Sequence, residues 1–122
     1  MNISTKTKVD CDCLIVNLQG ELDMASTDLF RKKVIPKLKK NNFNYLILNL
    51  SEVSFIDSTG LGAILGRYRV LAKKGGGILL VGLKPQVKRI FSLSGMLKIM
   101  DLYDTENDAI NSLKEKGEYN LA

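Results

Sequence analysis

The chain has no histidine and no tryptophan, only two cysteines and two prolines, and no long apolar run. Without histidine it lacks the side chain that most often serves as a general base near neutral pH. That excludes a Ser-His-Asp arrangement and phosphohistidine chemistry. Cys11 and Cys13 cannot complete a zinc site alone, and two residues apart on a strand they share a face without readily bridging. They read as incidental reduced thiols of a cytoplasmic protein. Ile78–Val81 is typical of the longest apolar stretches and is far too short to span a bilayer. Met1–Lys8 is polar and offers no secretory core. Four Phe and four Tyr form no stacking motif for nucleic acid. A Gly-rich loop followed by Lys-Ser/Thr is also missing, which argues against a phosphate-cradling NTPase loop.

What is present fits one domain over residues 1–122, with a core from about residue 3 to 116, and a monomer is the default expectation. The 122 residues are 45% hydrophobic and 25% charged, ordinary for a self-supporting globule. Eighteen Lys and Arg against 13 Asp and Glu give +5, a modest preference for acidic partners. Lys32, Lys33, Lys37, Lys39 and Lys40 fall on one helix and Arg67, Arg69, Lys73 and Lys74 on another. The simplest reading is charge spread over a solvated surface.

Alternation from Ile3 to Val9 predicts a half-exposed strand, with a turn at Asp10–Asp12 and a second strand over Cys13–Leu18 that ends at Gln19–Asp23. Ser26 or Thr27 is placed to cap a first helix, which Pro36 should kink or end early. Tyr45–Leu50 reads as a central strand covered on both faces, and Ser51–Ile56 as a connection. A second helix carries Leu61, Ile64, Leu65, Tyr68 and Leu71 at helical spacing and stops at Gly75–Gly77. Ile78–Gly82 is a further strand, Pro85 opens a third helix that Gly95 ends, and Leu97–Tyr103 is a last strand. Thr105 and Asp108 begin a terminal helix with Ala109, Ile110 and Leu113 inward. This order predicts an α/β fold with a mixed sheet and about four helices packed against it.

One segment stands apart: Phe55-Ile56-Asp57-Ser58-Thr59-Gly60-Leu61-Gly62 delivers Ser58 to the mouth of the second helix. Helix amides without internal partners and the macrodipole suit Ser58 there as a cap, and suit a phosphoserine equally well. Gly62 and Gly66 lie four apart on that helix, each costing about 0.8–1 kcal/mol relative to Ala. They serve either close packing within the domain or the approach of a partner. Asp23 and Asp57 admit a competing reading, a small nucleotide-binding or hydrolysing α/β protein whose helix N-terminus holds phosphate or Mg²⁺.

Asp57-Ser58-Thr59-Gly60-Leu61-Gly62-Ala63-Ile64-Leu65-Gly66-Arg67-Tyr68 resembles the signature of STAS domains, and more narrowly of bacterial anti-sigma factor antagonists of the sporulation type. Gly20-Glu21-Leu22-Asp23 and Val87-Lys88-Arg89-Ile90-Phe91 with Ser94-Gly95 resemble two further family segments, so the likeness runs from about Val9 to Leu113. The resemblance implies a non-enzymatic regulator that needs no cofactor. Its unmodified form would bind an anti-sigma factor that is also a serine kinase holding ADP or ATP, freeing a sigma factor. Phosphorylation of Ser58 would end that binding, and a PP2C-type phosphatase would restore it. By the same resemblance Asp23, Asp57, Ser58, Thr59, Gly60, Leu61, Gly62, Gly66 and Arg67 form the contact surface. No nucleic-acid or membrane partner is implied. Thr59, where relatives often carry Ser, is a conservative departure.

Overall fold

The structure, a computed structural model, describes residues 1–121, with side chains described through Lys116. Five strands form one sheet in sequential order: β1 (Asn2–Lys8), β2 (Cys13–Leu22), β3 (Tyr45–Ile56), β4 (Gly77–Val81) and β5 (Asp101–Tyr103). β1 is antiparallel to β2, and the remaining neighbours are parallel. The helices are α1 (Met24–Asn41), α2 (Ser58–Lys73), α3 (Pro85–Leu93) and α4 (Glu106–Leu121). Three successive crossovers step the same way along the sheet. Right-handed crossovers then place α1, α2 and α3 on one face. Phe30, Val34, Ile64, Leu71, Val87 and Phe91 pack there against Leu14, Val16, Leu46 and Leu48. The opposite face is covered by α4, whose Ala109 and Leu113 meet Cys13, Ile15, Ile47 and Leu79.

Several expectations are corrected. α1 is capped by Asp23 rather than by Ser26 or Thr27. Ser26 is the third helical residue and completes a reciprocal capping box with Asp23. Pro36 does not end α1, which continues to Asn41, because the burial of Val34 and Leu38 on either side holds its last turns to the sheet. Pro36 itself faces solvent. Pro36→Ala is therefore expected to stabilise the protein by about 1–2 kcal/mol, the helix gain less the lost restriction of the unfolded chain. Chemical denaturation midpoints read this directly.

β2 and β3 both outrun their predicted ends. Ser51–Ile56 is strand, not connection, because Val53 and Ile56 continue the buried face and pair with the end of β2. Register shifts near Gln19 and Glu21, with Gly20 at φ 113°, bend this extension. β4 pairs with β3 only as far as Asn49, so the ends of β2 and β3 project beyond the rest of the sheet. The last strand is shorter than expected. Met96–Lys98 forms a 3₁₀ turn after Gly95, and only Asp101–Tyr103 pairs with β4. Cys11 also sits in a 3₁₀ turn (Val9–Cys11) rather than on a strand. Both thiols are free and buried under α4, and burial pushes Cys13 up to about 12.

Thr105 begins α4 as expected, its hydroxyl accepting from the Asp108 amide at 3.1 Å. Glu106 anchors the same end. Burial pushes its carboxyl up, but the Asn49 amide donating at 2.8 Å, Lys6 at 3.5 Å and the side chain of Asn17 leave it below the usual range. A carboxyl lowered on folding stabilises the native state above its unfolded value near 4.5, and loses that effect as pH falls through the lower folded value. Glu106→Gln is expected to flatten the acid side of the stability curve, read as thermal midpoints on either side of pH 4.5.

Candidate functional site

The parallel ends of β2 and β3 deliver two helix N-termini to one rim. Leu22 pairs with Ile56, so the next residues, Asp23 and Asp57, are the N-caps of α1 and α2. The Asp23 carboxylate accepts the Ser26 amide at 2.9 Å and the Ser26 hydroxyl at 3.0 Å. These bonds, the Ser26 amide first, hold its carboxyl below the usual range. Asp57 serves both helices: Oδ1 accepts from the Gly60 amide at 2.9 Å and Oδ2 from the Met24 amide at 3.1 Å. One carboxylate thus pins α1 to α2.

Ser58 is therefore not the cap. It is the first residue of α2, exposed, with Asp57 taking the capping role. The Gly60 amide that a capping side chain would bind is held by Asp57 instead, which leaves the exposed Ser58 hydroxyl free of that role. Thr59 is half-buried beside it. The amides of the first helical residues lack intrahelical acceptors, so an anion on Ser58 meets donors rather than a buried wall.

Gly60 sets the depth of the helix. A Cβ there would lie 2.6 Å from the Leu22 carbonyl oxygen and 2.9 Å from Leu22 Cγ, so only glycine lets α2 approach the end of β2. Gly62 and Gly66 behave differently. A Cβ on either meets nothing within 4 Å, which removes packing within the domain as their explanation. Gly66→Ala is expected to stabilise the isolated protein by about 0.8–1 kcal/mol, measured by denaturant unfolding. Leu61 is half-buried against the core, and half-buried Arg67 lies further down the same helix.

The start of α1 and the extension of β3 add two residues not expected from the sequence. Met24 is 73% exposed and Phe55 45%, both on the rim that carries Ser58. The signal was the exposed position of Phe55 in a strand running through residue 56, hidden while that segment read as a connection. Both oxygens of Asp57 are engaged by capping, and Asp23 holds its own helix, which leaves the pair poorly disposed as metal ligands. Among the described residues no group of three or more Cys, Asp or Glu is placed to hold a metal ion, and no helix is long and apolar enough to cross a membrane.

Comparison with known proteins agrees with this layout. The STAS domain family matches residues 2–109. The anti-sigma F factor antagonist of Paenibacillus polymyxa is 36% identical over 114 residues, 93% of this chain and 97% of its own. The anti-sigma-B factor antagonist of Bacillus subtilis is 33% identical over 102 residues, 84% of this chain and 92% of its own. The anti-sigma factor antagonist SpoIIAA in its unphosphorylated form superposes with a TM-score of 0.75 at 25% identity, covering 93% of this chain and 98% of that one. The phosphorylated form of Bacillus SpoIIAA gives 0.73 at 28% identity, with 92% and 99% covered. No part of the likeness favours a nucleotide-hydrolysing protein. A mixed five-stranded sheet, two joined helix N-termini around an exposed serine, and these matches place the chain in the STAS domain family of anti-sigma factor antagonists.

Proposed function

We propose that this protein is an anti-anti-sigma factor switched by phosphorylation of Ser58. In its unmodified form it binds an anti-sigma factor that is also a serine kinase with ADP or ATP bound, and so releases a sigma factor. Phosphate on Ser58 ends the binding, and a PP2C-type phosphatase resets it. The observation that carries this reading is the exposed Ser58 at the first position of α2, next to Asp57, whose carboxylate is taken up by capping, in a chain with no histidine to activate it. A serine so placed is a substrate, since ATP, metal and base must come from the partner.

The contact surface comprises Asp23, Asp57, Ser58, Thr59, Gly60, Leu61, Gly62, Gly66 and Arg67, with Met24 and Phe55 as exposed apolar anchors at its edge. Such anchors supply affinity once water is excluded. The test is to add the pure protein to a preformed complex of the organism's anti-sigma factor and sigma factor, and follow sigma release by native electrophoresis. Release by the unmodified protein is expected, and none by the Ser58-phosphorylated form. Equal release by both would overturn the proposal.

A further inference from the structure

The chain's positive charge is not spread over its surface. α1 and α2 together carry nine Lys and Arg and one acidic residue, Asp28, a net +8 that leaves the rest of the chain at −3. Arg31, Lys39 and Arg67, with Lys74 just beyond α2, come together where the fold sets these helices side by side, whereas Lys33 and Lys37 reach across to β1. Arg31 to Asp28, at 3.6 Å, is the only ion pair on this face among the described residues.

Between α1 and α2 runs a groove of two adjoining hollows, about 170 and 220 Å³. Gly62, Gly66, Val70 and Lys74, each four residues from the last, form its α2 side over about 18 Å. Ile35 and Leu38 line it from α1. Arg67 belongs to both hollows, and its Nε is buried without a hydrogen-bond partner among the described residues. A buried donor left unmet is costly, and a carboxylate arriving in the groove would meet it with a charge-assisted bond.

We infer that this groove receives an acidic amphipathic helix of the partner protein. Its carboxylates engage Arg67, Lys39 and Lys74, and its apolar stripe lies over Ile35, Val70 and the two glycines. Bare glycines let a second backbone come close, and the groove starts one turn from Ser58, so it continues the surface assigned to the switch. Nucleic acid fits this face less well. The phenylalanines on it, Phe30 and Phe43, are 1% and 3% exposed and cannot stack on bases. A lipid surface needs protruding apolar side chains, whereas here the apolar residues line a hollow. The inference rests on the anti-sigma factor being the partner, and it adds a second, electrostatic contact that phosphorylation does not touch.

Arg67→Glu combined with Lys74→Glu tests it. Calorimetry with the organism's anti-sigma factor should show about tenfold or greater weakening at low salt, shrinking as salt screens the contact. Gly66→Gln, which fills the groove without changing charge, should weaken binding at every salt concentration. Binding within twofold of wild type for both variants, while Ser58→Asp still abolishes it, overturns the groove and leaves the switch standing. Undiminished binding by all three overturns both. Tighter binding of wild type to duplex DNA or phosphatidylglycerol vesicles than to the anti-sigma factor, lost in the charge-reversed variant, overturns the assignment to a protein partner.

Discussion

Ser58→Asp is expected to fold like the wild type and to bind the anti-sigma factor about 100-fold or more weakly. Two opposing effects act on stability. A negative charge in the first turn of α2 is favoured by the helix dipole, by about 0.3–1 kcal/mol. The capping carboxylates of Asp57 and Asp23 on the same rim repel it by a similar screened amount. The exposed side chain displaces no packed neighbour, so the unfolding midpoint should stay close to that of wild type. Binding has no such compensation. A partner closing over this rim removes water from a third negative charge beside two existing ones. A factor of 100 corresponds to about 2.7 kcal/mol, within the several kcal/mol that misplaced like charge costs in a desolvated interface. Phosphoserine, at about −1.5 to −2, should act more strongly than aspartate. Calorimetry on both forms, alongside thermal unfolding, separates lost affinity from lost fold.

Gly76→Ala should cost more stability than alanine at any other glycine among the described residues. A Cβ on Gly76 would stand 1.7 Å from the Asn44 carbonyl oxygen, and that oxygen already accepts the Gly77 amide. Both groups are backbone at the entries to β3 and β4, so neither can turn aside as a side-chain tip would. Relief requires the turn after α2 to move away from the turn before β3, for an expected loss of about 3 kcal/mol or more. Gly60→Ala, against the Leu22 carbonyl at 2.6 Å, should follow it closely and also tilt α2 away from the rim. The same methyl at Gly66 is expected to stabilise. A series of urea unfolding curves for these alanine variants therefore checks the sign of each effect as well as its size.

Much of this was legible in the sequence. The apolar runs at Tyr45–Leu50 and Ile78–Val81, and the helical spacing from Leu61 to Leu71, identify the sheet and the helix that carries Ser58. Local chemistry misled where tertiary contacts decide. Ser51-Glu52-Val53-Ser54 looks like a connection because three of its four residues are polar, yet pairing with a bent β2 keeps it extended. Pro36 looks like a stop because propensity is a local quantity, while the burial of its neighbours is not. The exchange of roles between Asp57 and Ser58 follows from which residue stands last on the strand, and that depends on where β3 ends. The basic groove was invisible for a similar reason: its two walls are separate segments of the chain that only the β2-α1-β3-α2 crossovers bring together.

In the proposed switch Ser58 is a phosphate acceptor at the middle of a docking surface. The most direct test is to incubate the protein with the organism's anti-sigma kinase and ATP, map the modified residue by mass spectrometry, and repeat with Ser58→Ala. One phosphate is expected, on Ser58, absent from the variant, with a product that no longer binds the kinase. Phosphate on another residue with Ser58 untouched, or a phosphorylated product that binds as tightly as before, would contradict that switch.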